Sequence, residues 1–177
     1  FDGINKSVSP NWKLDILMLE QNTLKPKNNI QNEYKSLIDI VYEYAKGYTN
    51  GHNLTIGNTI RRVAEAFTTF EYKSGIDKLY DTEVLSTIQD DTLREYFDGR
   101  LLKLLLNGGS HMQDRVRMLT NPGFTVQYSE KDKQQTARDI ICLLYQLNKP
   151  HIEAYLNDKA DLGSNITQWC NDIRSAM

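Results

Sequence analysis

From residue 21 onward, each long segment of this chain spaces its apolar residues three or four positions apart, and none alternates apolar with polar. A side-chain period near 3.6 belongs to a helix and a period of 2 to a strand, so this region is confined to helices that bury one stripe against each other. The stripes are Leu37, Ile38, Val41, Tyr42 and Ala45 in "EYKSLIDIVYEYAKG", Ile60, Val63, Ala64 and Phe67 in "GNTIRRVAEAF", and Ala137, Ile140, Ile141, Leu144 and Leu147 after Ser129. A strongly apolar stretch, 93–106, stops at "NGG", and a last segment runs from Ser164 through Trp169 and Ile173. End signals agree: Gly47 stops the first helix, Asn58 is placed to cap the second, and Ser129 caps a long one with Glu130 and Asp132 in its first turn. With 177 residues, 40% of them apolar, the chain can bury one substantial core. The fold class expected is therefore mainly α: residues 31–177 form one antiparallel helical bundle whose core includes Ile60, Val63, Phe67, Leu101, Leu104, Leu105, Ile140, Leu144 and Trp169.

Only 12–20, "WKLDILMLE", departs from this period, alternating Trp12, Leu14, Ile16 and Met18 with Lys13 and Asp15. That is a strand signature, and a solitary strand leaves its backbone groups unpaired. Residues 1–30 thus read as a strand and polar connector at the edge of something absent from this chain. The start lacks both an initiator methionine and a charged-then-apolar leader, so the chain reads as a fragment of a larger protein.

Several function classes drop out. A net charge of −2 excludes a protein that holds nucleic acid by bulk attraction, and any such site must be a local patch. No apolar run approaches the roughly 20 residues of a membrane span, so no membrane partner is expected. Neither a G-x-x-x-x-G-K-[ST] nor a G-x-G-x-x-G stretch occurs, so this chain alone cradles no nucleotide phosphates. Its two cysteines, Cys142 and Cys170, sit in apolar helical settings and read as small buried thiols in a reducing cytoplasmic setting. Three isolated histidines give no zinc spacing, and the seven carboxylates between Asp77 and Asp98 lack a calcium-loop pattern. No metal is expected, and those carboxylates read as a solvated face across short helices.

What remains is one flank of the "GNTIRRVAEAF" helix. With about 100° per residue, Arg61, Glu65 and Asn58 fall together beside the apolar stripe, and Arg62 points away. An i,i+4 Arg–Glu pair at a core edge is one reading of this flank, and half of a catalytic site is another. Of the histidines, His52 lies in a polar loop and His151 follows Pro150 at a helix start, so both read as surface or capping residues. His111 follows the Gly-Gly stop, where the chain leaves the core and new helical N–H groups become available to an anion. A histidine, a guanidinium and a carboxylate suffice to cleave RNA without metal: a base takes the 2′-hydroxyl proton and arginine stabilises the charge on the phosphorane.

Four stretches in order, "NEYKSLIDIVYEYAK" (32–46), "GNTIRRVAEAF" (57–67), "LNGGSH" (106–111) and "ARDIICLLYQLNKPHIEAYL" (137–156), resemble the C-terminal region of bacterial anticodon nucleases of the PrrC and RloC kind. The resemblance spans about 30–160. It implies a HEPN-like nuclease domain that follows an ABC-type ATPase in the same polypeptide and cuts tRNA anticodon loops as an antiviral toxin. Carried over by position, the family's catalytic Arg, Glu and His fall on Arg61, Glu65 and His111. Asn58, Arg62, Asn107, Ser110 and Arg115 are the candidate RNA contacts around them. No cofactor is expected in this chain; ATP belongs to the ATPase part. The partners implied are RNA, that ATPase domain and a second copy in a homodimer. A second function class also fits: a non-catalytic regulatory or dimerisation module of an ABC-type ATPase.

Overall fold

A computed structural model describes the backbone of 17–20, 23–26, 33–106 and 129–177, and the side chains of 33–99 and 129–177. The chain divides into two units, 1–32 and 33–177.

In the first unit, strand β1 (Leu17–Glu20) pairs antiparallel with β2 (Thr23–Pro26), Leu17 opposite Pro26 and Glu20 opposite Thr23. This corrects the expectation of a lone strand followed by a polar connector. The connector supplies the second arm, and Pro26, which has no N–H to donate, sits at the end of the ladder, where that loss is tolerated. Residues 12–16 lie outside the described residues. The backbone of β1 thus finds a partner within the chain, so the unpaired-strand argument for a missing sheet no longer applies to it.

The second unit is a helical bundle. Helix α1 (Glu33–Lys46) lies at its centre, packed against α2 (Ile56–Tyr72) and α5 (Glu130–Leu147). Between them come a 3₁₀ turn at Ile76–Tyr80, the short α3 (Thr82–Leu85) and α4 (Asp91–Leu106). After α5 come α6 (Lys149–Tyr155) and α7 (Leu162–Ala176). Tyr34, Ile38, Val41, Tyr42 and Ala45 form the buried stripe of α1, and Tyr44 is buried as well. Of the core residues expected, Ile60, Val63, Phe67, Ile140, Leu144 and Trp169 are buried; the side chains of Leu101, Leu104 and Leu105 lie outside the described residues.

The helix ends follow local chemistry. Gly47, at φ 108°, occupies the left-handed region that closes α1, a conformation open to glycine at no steric cost. Ser129 and Asp132 form a reciprocal capping box on α5. Asn58 does not cap α2. A 3₁₀ turn at His52–Leu54 runs into the helix, which begins at Ile56 with Thr55 in the cap position, so Asn58 lies exposed in the first turn. The acidic stretch does more than face solvent: Asp81 accepts from the Glu83 N–H to cap α3, and Asp90 accepts from the Leu93 N–H and pairs with Arg174 at 2.8 Å. Among the described residues no three His, Cys, Asp or Glu side chains gather as metal ligands.

Polar contacts tie distant segments together. Lys46 pairs with Asp161 at 2.7 Å, the Tyr42 hydroxyl donates to Asp161 at 3.0 Å, and Arg138 Nε donates to the Ala45 carbonyl at 2.8 Å. Asp139, fully buried, accepts from Tyr96 Oη at 3.0 Å and from Gln135 Nε2 at 2.9 Å.

Phe67 is fully buried. Phe67→Ala is expected to destabilise the unit by about 3–5 kcal/mol in urea unfolding, against about 0.5 kcal/mol or less for the exposed Leu54→Ala. The Lys46 hydrogen bond, helped by that from Tyr42, holds the Asp161 carboxyl below its ordinary value. A depressed carboxyl contributes stability that is present above its unfolded-state pKa of about 3.9 and is lost as pH falls through the folded value. Asp161→Asn is therefore expected to flatten the acid limb of a plot of urea midpoint against pH; an unchanged limb would show that this pair carries none of it.

Candidate functional site

Helix α2 buries Ile56, Thr59, Ile60, Val63, Ala64, Phe67 and Thr68, the stripe that its spacing predicts. On one flank, Arg61 Nε donates to Glu65 Oε1 at 2.9 Å, and the two side chains are 35% and 44% exposed. The contact runs through Nε alone. No other ion pair or hydrogen bond of Arg61 occurs among the described residues; Glu65 fixes the arm through Nε, and the terminal amino groups have the fork geometry that suits a planar oxyanion. The 3₁₀ turn at Ile76–Tyr80 packs on α2, with Tyr80 within electrostatic reach of Arg61.

Arg62 lies elsewhere. It pairs with Glu33 at the start of α1, so it links two helices and does not share the Arg61 flank. Asn58 is exposed one turn before Arg61. His111, Asn107, Ser110 and Arg115 all lie outside the described residues.

His151 corrects the surface-or-cap reading. Its backbone N–H is capped by Asn148 Oδ1 at 3.1 Å, but its side chain is only 8% exposed. Nδ1 meets Glu71 Oε1 at 2.6 Å, and Nε2 meets the Tyr34 hydroxyl at 3.0 Å. A carboxylate can only accept, so the Nδ1 proton faces Glu71, and in the neutral ring Nε2 accepts from the Tyr34 O–H. Glu71 Oε2 also accepts from Asn148 Nδ2 at 2.7 Å. The rings of Phe67, Phe70, Tyr34 and Tyr155 surround the imidazole, with centroids 5.0 to 6.2 Å away. Burial, reinforced by Tyr155 and Glu71, pushes the Tyr34 phenol well above its ordinary range.

Enclosed in this way, His151 cannot reach a phosphate at the Arg61 flank as placed; it joins α1, α2 and α6. The N-P-H stretch marks the cap, but Glu71 and Tyr34 are 80 and 117 positions away in sequence, so no local pattern could have located its partners.

No family model, no curated protein and no solved structure matches this chain. Among the described residues, no helix is long and apolar enough to cross a membrane.

His151→Ala removes one hydrogen bond from Glu71 and one from the Tyr34 hydroxyl, along with the ring packed among four aromatic side chains. A loss of at least about 2 kcal/mol in urea unfolding is expected, with a coupling to Glu71→Ala above about 0.5 kcal/mol in a double-mutant cycle. Strict additivity would mean that ring packing alone explains the histidine.

Proposed function

We propose that this chain is the nuclease part of an ATPase-linked antiviral toxin, a metal-independent endoribonuclease of HEPN-like type that cuts tRNA in its anticodon loop. The observation that carries the reading is the state of Arg61: its arm is fixed by Glu65 through Nε, and among the described residues its two terminal amino groups make no ion pair or hydrogen bond on a part-exposed flank. The ordered resemblance of four stretches, including Arg61, Glu65 and His111, supplies the rest.

In this reading His111 or Glu65 removes the 2′-hydroxyl proton, and the 2′-oxygen attacks the adjacent phosphorus. Arg61 places two parallel N–H bonds on the non-bridging oxygens, where negative charge grows in the phosphorane. The 5′-oxygen then leaves with a proton, giving a 2′,3′-cyclic phosphate and a 5′-hydroxyl. Asn58, Asn107, Ser110 and Arg115 hold the RNA around the scissile bond. Arg62, engaged with Glu33, is at most an outer contact.

The regulatory or dimerisation module remains the second reading, because an i,i+4 pair at 2.9 Å is also what an ordinary helix edge carries. RNA cleavage by the intact protein separates the two. His111→Ala is expected to lower cleavage about 10²- to 10⁴-fold while leaving the unfolding midpoint unchanged. Arg61→Lys is expected to fail as well, since an ammonium cannot fork onto two phosphate oxygens. Glu65→Gln is expected to keep the fold and lose activity, whereas Arg62→Ala costs the Glu33 pair, about 0–1 kcal/mol of stability, and little activity. Wild-type cleavage and cell toxicity in all of the Arg61, Glu65 and His111 variants would remove the nuclease reading.

A further inference from the structure

Helices α5 and α7 pack against each other, and each contributes a free, buried cysteine to their interface: Cys142 with no exposure and Cys170 with 3%. Two contacts locate them. Gln146, one helical turn after Cys142 on the same face of α5, donates through Nε2 to Cys170 Sγ at 3.8 Å. The two thiols are also neighbours. Cys170 thus lies beside the turn of α5 that begins at Cys142, among Trp169, Ile166 and Ile173 on the buried side of α7.

We propose that Cys142 and Cys170 are an oxidation site, closing to a reversible intramolecular disulfide between α5 and α7 when the protein meets hydrogen peroxide. Reduced intracellular proteins that form disulfides generally do so transiently and in response to oxidants.

The two sulfurs have different roles. Neighbouring Cys142 lowers the Cys170 thiol from its ordinary value, with Arg174 and Gln146 adding to the effect, and burial opposes it. Cys170, together with burial, raises the Cys142 thiol. In this proposal Cys170, with the Gln146 amide beside it, attacks first, as its thiolate. It attacks one peroxide oxygen, the O–O bond breaks, and hydroxide leaves, so that sulfur is oxidised to a sulfenic acid and peroxide is reduced. Cys142 then attacks the Cys170 sulfur; the S–S bond forms and the sulfenic oxygen leaves as water with the Cys142 proton. A dithiol reductant reverses the change by thiol–disulfide exchange.

The test treats the folded chain with hydrogen peroxide, quenches it in acid, and measures intact mass and denatured thiol count. The wild type is expected to lose two hydrogens and both titratable thiols as a monomer, and to regain them with dithiothreitol. Cys142→Ser removes the resolving thiol, and dimedone is then expected to label Cys170; Cys170→Ser is expected to form no disulfide and to take up no dimedone at Cys142. Retention of both thiols at a peroxide dose that fully oxidises glutathione would overturn the site, as would a disulfide only between molecules. Dimedone on Cys142 in the Cys170→Ser variant would overturn the assigned order of attack. Mass and thiol counts read this out whether or not the chain cleaves RNA.

Discussion

Three tyrosines on α1 set the terms for much of the bundle. Tyr34, Tyr42 and Tyr44 bury their rings because α1 is packed between α2 and α5, yet each carries a hydroxyl that burial cannot leave unpaired without a cost of about 1–3 kcal/mol. Each hydroxyl is met by a different segment of the chain. Tyr34 reaches His151 at the start of α6, Tyr42 reaches Asp161 and Asn165 at the start of α7, and Tyr44 reaches Asn53 in the loop before α2. Packing α1 correctly therefore also fixes where these segments dock. Burial holds all three phenols above their ordinary values, which keeps them neutral donors or acceptors.

Helix α2 is organised by the same core but serves two purposes. Its apolar stripe faces α1 and α5, and its polar residues divide between the two sides of that stripe. Arg62 turns toward Glu33 and braces α2 to α1, whereas among the described residues Arg61 and Glu65 pair only with each other. A cation that only its own helix neutralises, and only through one nitrogen, contributes little to the fold. Replacing Arg61 or Glu65 therefore costs the fold little, which distinguishes them from Arg62, Lys46, Arg138 and Arg174, whose contacts link separate elements.

Charge elsewhere follows a similar division. Lys78 holds the Asp81 carboxyl below its ordinary value, the Leu93 N–H does the same for Asp90, and lysines of α1 do so for Asp161 and Asp158. Asp139 is the exception in place: it lies in the core and is reached by Tyr96 and Gln135. A buried carboxyl of this kind restricts how α4 and α5 can pack, because shifting either helix by a turn would break its bond with Tyr96.

The sequence by itself determined the helical class, most of the buried stripes of α1, α2 and α5, the cap at Ser129 and the shared flank of Arg61 and Glu65. All of these follow from contacts within about four residues, where helical geometry makes spacing equivalent to position. Tertiary structure decided what spacing cannot encode. It enclosed His151 with Glu71 and Tyr34, engaged Arg62 with Glu33, brought Cys142 beside Cys170, and paired β1 with a segment whose polar composition resembles a linker. Each of these depends on which residues other elements bring near. A histidine behind a proline looks the same in sequence whether it caps a helix in water or is buried among four aromatic rings. Only the packing of α1, α2 and α6 sets the solvent around it, and with that its chemistry.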